Sequence, residues 1–167
     1  ADYQIGYSAT MAPLIVGNKV IVGISGGEYQ TRGFIDAFDP ISGERIWRFN
    51  TIPGPGEPGS ETWPDDPQIL AQGGGGTWMN GSYDPDLDLI YWGVGNPNPD
   101  YYDENRPGDN LYTDSIVALD ANTGELRWHY QFTPHDVNDW DSNHMPVLAN
   151  IEWEGEPRRV VMVGNRN

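Results

Sequence analysis

Between Thr133 and Asn143 the chain reads Thr-Pro-His-Asp-Val-Asn-Asp-Trp-Asp-Ser-Asn, five aspartates or asparagines gathered around one tryptophan. Asp136, Asp139 and Asp141 cannot all stay ionised so close together unless cations, hydrogen-bond donors or water compensate them. A bound metal ion is one such compensation. An extended backbone through Asp139-Trp140-Asp141 is expected to point both carboxylates to one side and the indole to the other, because side chains alternate along a strand. Two hard oxygen donors on one face suit a calcium-like ion. The same residues also suit a solvated acidic loop held by Asx turns.

Other residues far away in sequence offer matching chemistry. Ser25-Gly26-Gly27-Glu28 combines two glycines, which let a flat ligand approach the backbone, with a carboxylate able to give a cation one or two oxygens. Asn96, in Gly95-Asn96-Pro97, offers an amide oxygen, although Asn-Pro also initiates turns. Trp78 follows the run Gly73 to Gly76 and Thr77. Four glycines could let the chain pass beneath a planar cofactor with the indole as its stacking floor; the competing reading is an ordinary core tryptophan.

The elements that must position these residues read as β-structure. Short apolar runs bounded by turn residues occur at Leu14 to Val16, Val20 to Ile24, Phe34 to Phe38, Leu89 to Val94, Ser115 to Leu119 and Val160 to Val163. No window carries a 3.6-residue apolar stripe, so the pattern is all-β with little helix. One motif repeats without a gap: Ala37-x-Asp39-x-x-Ser42-Gly43-x-x-x-Trp47 recurs as Ala118-x-Asp120-x-x-Thr123-Gly124-x-x-x-Trp128. It describes a hairpin whose Asp bonds the turn backbone and whose Gly supplies positive φ. Its Trp then lies on the outgoing strand, ready to stack on a neighbouring unit, and repeated hairpins with a docking aromatic signal a propeller. Blade one is expected over about 12–49 and blade two over about 77–132, with a third opening near 145 and running to 167. The Gly/Pro-rich stretch from Pro53 to Gly76 is an excursion between blades, or else a linker. The second unit carries an insertion, Asn96 to Thr113, rich in proline and acid and suited to a functional loop.

Composition narrows the partners. Nine basic against 25 acidic residues give a formal charge of −16, which repels nucleic acid and anionic membrane surfaces and favours small cations. No apolar run is long enough to cross a bilayer. The absence of cysteine excludes disulfides and thiolate metal sites within the 167 residues. Opening without Met or a signal peptide, and stopping soon after the run Val160 to Gly164, the chain reads as an internal piece.

The two tryptophan motifs, Ser-Gly-Gly-Glu, Thr77-Trp78 ahead of Tyr83 to Pro97, Arg106-Pro-Gly-Asp-Asn110, Thr133-Pro-His-Asp136 and the closing Gly164-Asn-Arg-Asn167 together resemble the pyrroloquinoline-quinone (PQQ) dependent alcohol dehydrogenases. The resemblance runs along essentially the whole chain. It implies a fragment, about two and a half blades, of an eight-bladed all-β propeller holding the quinone in its central channel. It also implies that Glu28, Asn96, Asp139 and Asp141 hold a metal ion, calcium or a lanthanide, and that Thr10, Ser25, Gly26, Gly27, Trp78 and Arg166 hold PQQ.

In the mechanism so implied, Asp139 takes the hydroxyl proton of a small alcohol while hydride passes to a quinone polarised by the metal, and Arg166 steadies the charge that develops. Asp141 resembles the extra carboxylate of lanthanide-dependent members, and a further negative oxygen favours a trivalent ion. It could instead bond a loop amide or Asn143. A cytochrome c acceptor, a periplasmic location and possible homo-oligomerisation also follow from the resemblance. The departures are the missing cysteine pair and upstream cofactor arginines, Trp140 where tyrosine or phenylalanine is common, and Asn138 where tryptophan is common. The rival reading is a non-catalytic propeller scaffold for envelope protein assembly.

Overall fold

A computed structural model describes residues 2–166; Ala1 and Asn167, the latter closing the Gly-Asn-Arg-Asn motif, lie outside the described residues. The strands, in chain order, are β1 (Leu14–Val16), β2 (Lys19–Val22), β3 (Phe34–Phe38), β4 (Arg45–Asn50), β5 (Ser82–Asp84), β6 (Leu89–Gly93), β7 (Ser115–Asp120), β8 (Leu126–Gln131), β9 (Val147–Trp153) and β10 (Glu156–Met162). β1 to β4 form one antiparallel sheet in sequence order, β5 to β8 form a second, and β9 with β10 form a hairpin. These are meandering blades of a β-propeller. Helix is confined, among the described residues, to α1 (Pro67–Ala71) and three single 3₁₀ turns. None of it is long and apolar enough to cross a membrane.

The repeated motif folds the same way twice. Asp39 Oδ1 accepts from the amides of Ile41 and Ser42, both at 2.8 Å, and Asp120 Oδ1 accepts from those of Asn122 and Thr123 at 2.9 and 3.0 Å. Gly43 and Gly124 adopt φ of 72° and 73°, which a Cβ would resist. Each hairpin shifts register at the same place, between Ala37 and Phe38 and between Ala118 and Leu119.

Packing between blades follows the two-residue period of the strands. In the second sheet Ile90, Trp92, Val117 and Leu119 face the first sheet and join Val16, Ile21, Ile35 and Trp47 in one core. Their neighbours Tyr91, Ile116 and Ala118 face the other way, toward Leu148 and Val161 of the hairpin. Both faces of this sheet are therefore buried, which explains its nearly continuous apolar strands. The first tryptophan docks as its spacing predicts: Trp47 Nε1 donates to Ala121 O at 3.3 Å on the turn of the next blade.

The excursion from Pro53 to Gly76 is not a bare linker. It builds a satellite core from Ile52, Trp63 and Leu70 and holds α1, which Asp66 caps by accepting from Gln68 N. It then returns between the two sheets. Gly33 N donates to Gly74 O at 2.8 Å, Gly75 N to Asn96 O at 2.9 Å, and Gly95 N to Gly76 O at 2.8 Å. Thr77 finishes the seam, its Oγ1 donating to Phe34 O and accepting from Ile24 N.

Candidate active site

That seam sets up the site. Two loops at the same end of the blades, the turn after β2 and the loop after β6, meet the segment from Thr133 to Asn143. Between them lies a cavity of about 420 Å³ lined by Thr10, Ser25, Gly26, Gly27, Glu28, Trp78, Asn96, Asp139 and Asp141, and also by Ser8, Gly76 and Asp100. Residues far apart in the chain are thus brought to one wall. Arg166 stands at the rim, where its Nη1 donates to the backbone carbonyl of Asp139 at 2.8 Å.

The Asp139 loop is built differently from the extended stretch expected of it. Asp139 and Asp141 adopt φ of 58° and 51°, so they sit in left-handed backbone and do not alternate as a strand would. The cause is Asp136, which is buried and accepts from the amides of Asn138 and Trp140 at 2.9 and 2.8 Å. This carboxylate winds the loop around itself. Asn and Asp tolerate the left-handed region better than most residues, and both carboxylates still reach the cavity.

A second set of ties clamps this loop to the insertion from Asn96 to Thr113. His135 donates through Nδ1 to Gly108 O at 2.7 Å and pairs through Nε2 with Asp103 Oδ2 at 3.0 Å. Arg106 is fully buried and donates to Pro99 O, Asn110 Oδ1 and Asp136 O. Tyr101 donates its hydroxyl to Asp139 Oδ2 at 3.1 Å. Asp141 Oδ1 accepts from the backbone amide of Asn96 at 3.2 Å, the loop-amide partner that was one of its two readings.

Charge accumulates here with little compensation. Burial pushes Asp141 up to about 6, the Asn96 amide opposing and Asp139 adding to the rise. Burial also raises Asp100, while the side-chain amide of Asn96 lowers it. Asn96 Nδ2 donates to Pro97 O and to Asp100 Oδ1, which leaves its amide oxygen as the remaining acceptor. Deeper still, burial takes Asp114 up to about 8, with Asp136 and Asp141 adding to it. Sequence reasoning missed Ser8, Asp100, Tyr101 and Asp114. Only the position of Asp100, four residues past Asn96 in the insertion, could have signalled its part.

The donor set fits a hard cation. Glu28, Asp139 and Asp141 offer carboxylate oxygens and Asn96 an amide oxygen, and the half-buried Asp139 and Asp141 favour whatever positive charge enters. Among the described residues no three His, Asp or Glu side chains close a cage by themselves, so the donors flank the cavity. The floor fits a planar ligand. A Cβ on Gly76 would stand 2.9 Å from Trp78 Cε3, and one on Gly95 would stand 2.6 Å from Trp78 Cζ3. Backbone alone therefore presses against the indole, whose remaining surface lines the cavity.

Comparison with known proteins identifies the family. The family model described as PQQ glucose/ethanol/alcohol dehydrogenase, beta-propeller domain, matches residues 2–167. A quinohemoprotein alcohol dehydrogenase, ADH IIB of Pseudomonas putida, is 42% identical over 96% of this chain and 25% of its own length. A lanthanide-dependent methanol dehydrogenase of Methylacidiphilum fumariolicum is 37% identical over 100% of this chain and 30% of its own. Among solved structures, a europium-containing methanol dehydrogenase superposes with a TM-score of 0.92 at 36% identity, covering 100% of this chain and 32% of that one. The chain thus spans between a quarter and a third of the length of these relatives.

Proposed function

Because this chain belongs to the β-propeller domain family of the PQQ-dependent glucose/ethanol/alcohol dehydrogenases, we propose that it forms the cofactor-binding wall of an enzyme oxidising an alcohol to an aldehyde or ketone. The observation that carries this reading is the single cavity to which Glu28, Asn96, Asp139 and Asp141 bring hard oxygens and Trp78 brings a flat apolar surface. Glu28, Asn96, Asp139 and Asp141 would hold the metal ion. Thr10, Ser25, Gly26, Gly27 and Trp78 would hold PQQ, with Arg166 at the rim. When bound, the quinone supplies a two-electron acceptor and the ion a Lewis acid.

The residues of this chain do the rest. Asp139 takes the hydroxyl proton of the substrate; the Tyr101 hydroxyl engages Oδ2 and leaves Oδ1 for that transfer. Arg166, on the carbonyl of Asp139, and Asp136, on the amides behind it, keep the base in place. Asp141 adds the charge that favours a trivalent ion, so we favour a lanthanide over calcium. A cytochrome c electron acceptor and a periplasmic location complete the reading by family resemblance.

The test is a titration of the full-length protein carrying this chain with PQQ plus lanthanum or calcium, following dye-linked oxidation of short alcohols. Lanthanum is expected to activate at least about tenfold better than calcium, and Asp139→Asn to lower kcat by about 10² or more. Calcium-only activity would retire the lanthanide. A protein that takes up no quinone with either ion would be a scaffold.

A further inference from the structure

Asp114 is the buried acid that the proposed chemistry leaves unused. It is fully excluded from solvent, and neither of its carboxylate oxygens has a hydrogen-bond partner. Its backbone is also in the left-handed region at φ 47°, a conformation that costs energy for any residue with a Cβ. Both features are expensive. A serine, asparagine or glycine would avoid the cost of burying an unpartnered carboxyl.

Its position relates it to the proposed metal donors. The Asp114 amide donates to Gly95 O at 3.0 Å. Gly95 immediately precedes Asn96, and a Cβ on it would stand 2.8 Å from Asp141 Oδ1. One peptide therefore separates the Asp114 backbone from the Asn96 and Asp141 pair, which is itself joined by a hydrogen bond. The neighbouring charges that act on Asp114 are Asp136, Asp141 and Asp139 on one side and Arg106 on the other. Arg106 spends its hydrogen bonds on Pro99, Asn110 and Asp136 and gives none to Asp114. Burial, with no further cation near among the described residues, pushes the carboxyl up to about 8, so it keeps its proton at neutral pH; a cation entering the cavity favours its ionised form.

We propose that Asp114 is a metal-specificity residue: a buried carboxyl, one peptide behind the Asn96 and Asp141 donors, whose ionised form favours a trivalent ion in the cavity over a divalent one. It touches neither ion nor substrate. Its attraction scales with the charge of the ion through a poorly screened interior, so it adds more to a lanthanide than to calcium. This inference rests on the metal site proposed above.

The experiment compares wild type, Asp114→Asn and Asp114→Glu in the full-length protein, measuring europium affinity by its luminescence and calcium affinity by equilibrium dialysis, with apo melting temperature alongside. Asp114→Asn keeps the shape and removes the charge. It is expected to weaken europium about tenfold and calcium about fivefold, the ratio that ion charges of three and two give, and to leave the apo protein at least as stable. Asp114→Glu keeps the charge and should retain the wild-type preference. Equal weakening of both ions, or no change in either, would overturn the role of Asp114 and leave the metal site standing. A wild type that binds neither ion overturns both.

Discussion

Gly95 shows how much a single hydrogen atom can decide. Its φ lies outside the left-handed region, so an alanine backbone would be accepted there, yet a Cβ would meet Trp78 Cζ3 at 2.6 Å and Asp141 Oδ1 at 2.8 Å. The absence of a side chain is what lets the indole and the carboxylate share one wall. Gly95→Ala is therefore expected to cost about 1–3 kcal/mol in overpacking and to lower PQQ affinity at least about tenfold, because both partners must move. Equilibrium dialysis of the quinone, with circular dichroism to show an intact fold, checks it. Unchanged affinity would mean that Trp78 is not the floor. At this scale the sequence was informative where chemistry is local to a motif: Glu28 after two glycines, Asn96 after Gly95, Asp139 in its acidic run. It was silent where the role comes from three dimensions. Nothing near Asp114 in sequence indicates that it ends beside Gly95, and the left-handed turn at Asp139 and Asp141 depends on how Asp136 folds back onto their amides.

The hairpin turn is the element that the chain repeats, and its aspartate holds the turn. Asp120 accepts from two backbone amides and from Arg127 Nη2 at 2.7 Å; the Arg127 bond first, then the Thr123 amide, lower its carboxyl to about 2. A carboxyl depressed in the fold binds its proton more weakly than in the unfolded chain. Its stabilisation is thus complete above the unfolded value near 4 and disappears as pH falls through about 2. Its partner Arg127 is exposed, so the gain is modest. Asp120→Ala should cost on the order of 1 kcal/mol at neutral pH, and its melting temperature should converge on that of wild type between about pH 4 and pH 2. A gap that persists at the acid end would assign the loss to something other than the charged turn. This element was legible because its signals, Asp, Ser or Thr, and Gly at fixed offsets, act within a few residues. The excursion before Thr77 was not, because Ile52, Trp63 and Leu70 form their small core only after the chain has folded back on itself.

At the scale of the molecule the two motif tryptophans make a controlled comparison. Trp47 is 8% exposed and Trp128 is 41% exposed, although they occupy equivalent strands at equivalent registers. Trp47 has a partner: it donates to Ala121, and Gly124 lies so close beneath its ring that a Cβ would stand 2.6 Å from Cε3. Trp128 faces a blade of which the described residues supply one hairpin, and it is covered mainly by Tyr91, with ring centroids 5.7 Å apart. Propeller stability is built from such blade-to-blade contacts, so the value of a docking tryptophan depends on whether the next turn is present. In the isolated 167-residue chain, Trp47→Ala should cost about 3–5 kcal/mol and Trp128→Ala about 1 kcal/mol. In the full-length protein the second value should rise toward the first. Denaturant unfolding of both variants in both contexts measures this directly. The uncovered ring, with Tyr130 62% and Met162 45% exposed beside it, should also make the isolated chain associate as its concentration rises. Sedimentation velocity would register that association, and Trp128→Ser should reduce it. If Trp128→Ala remains nearly silent in the full-length protein, the repeated motif is a hairpin signature in its second copy and a docking device only in its first.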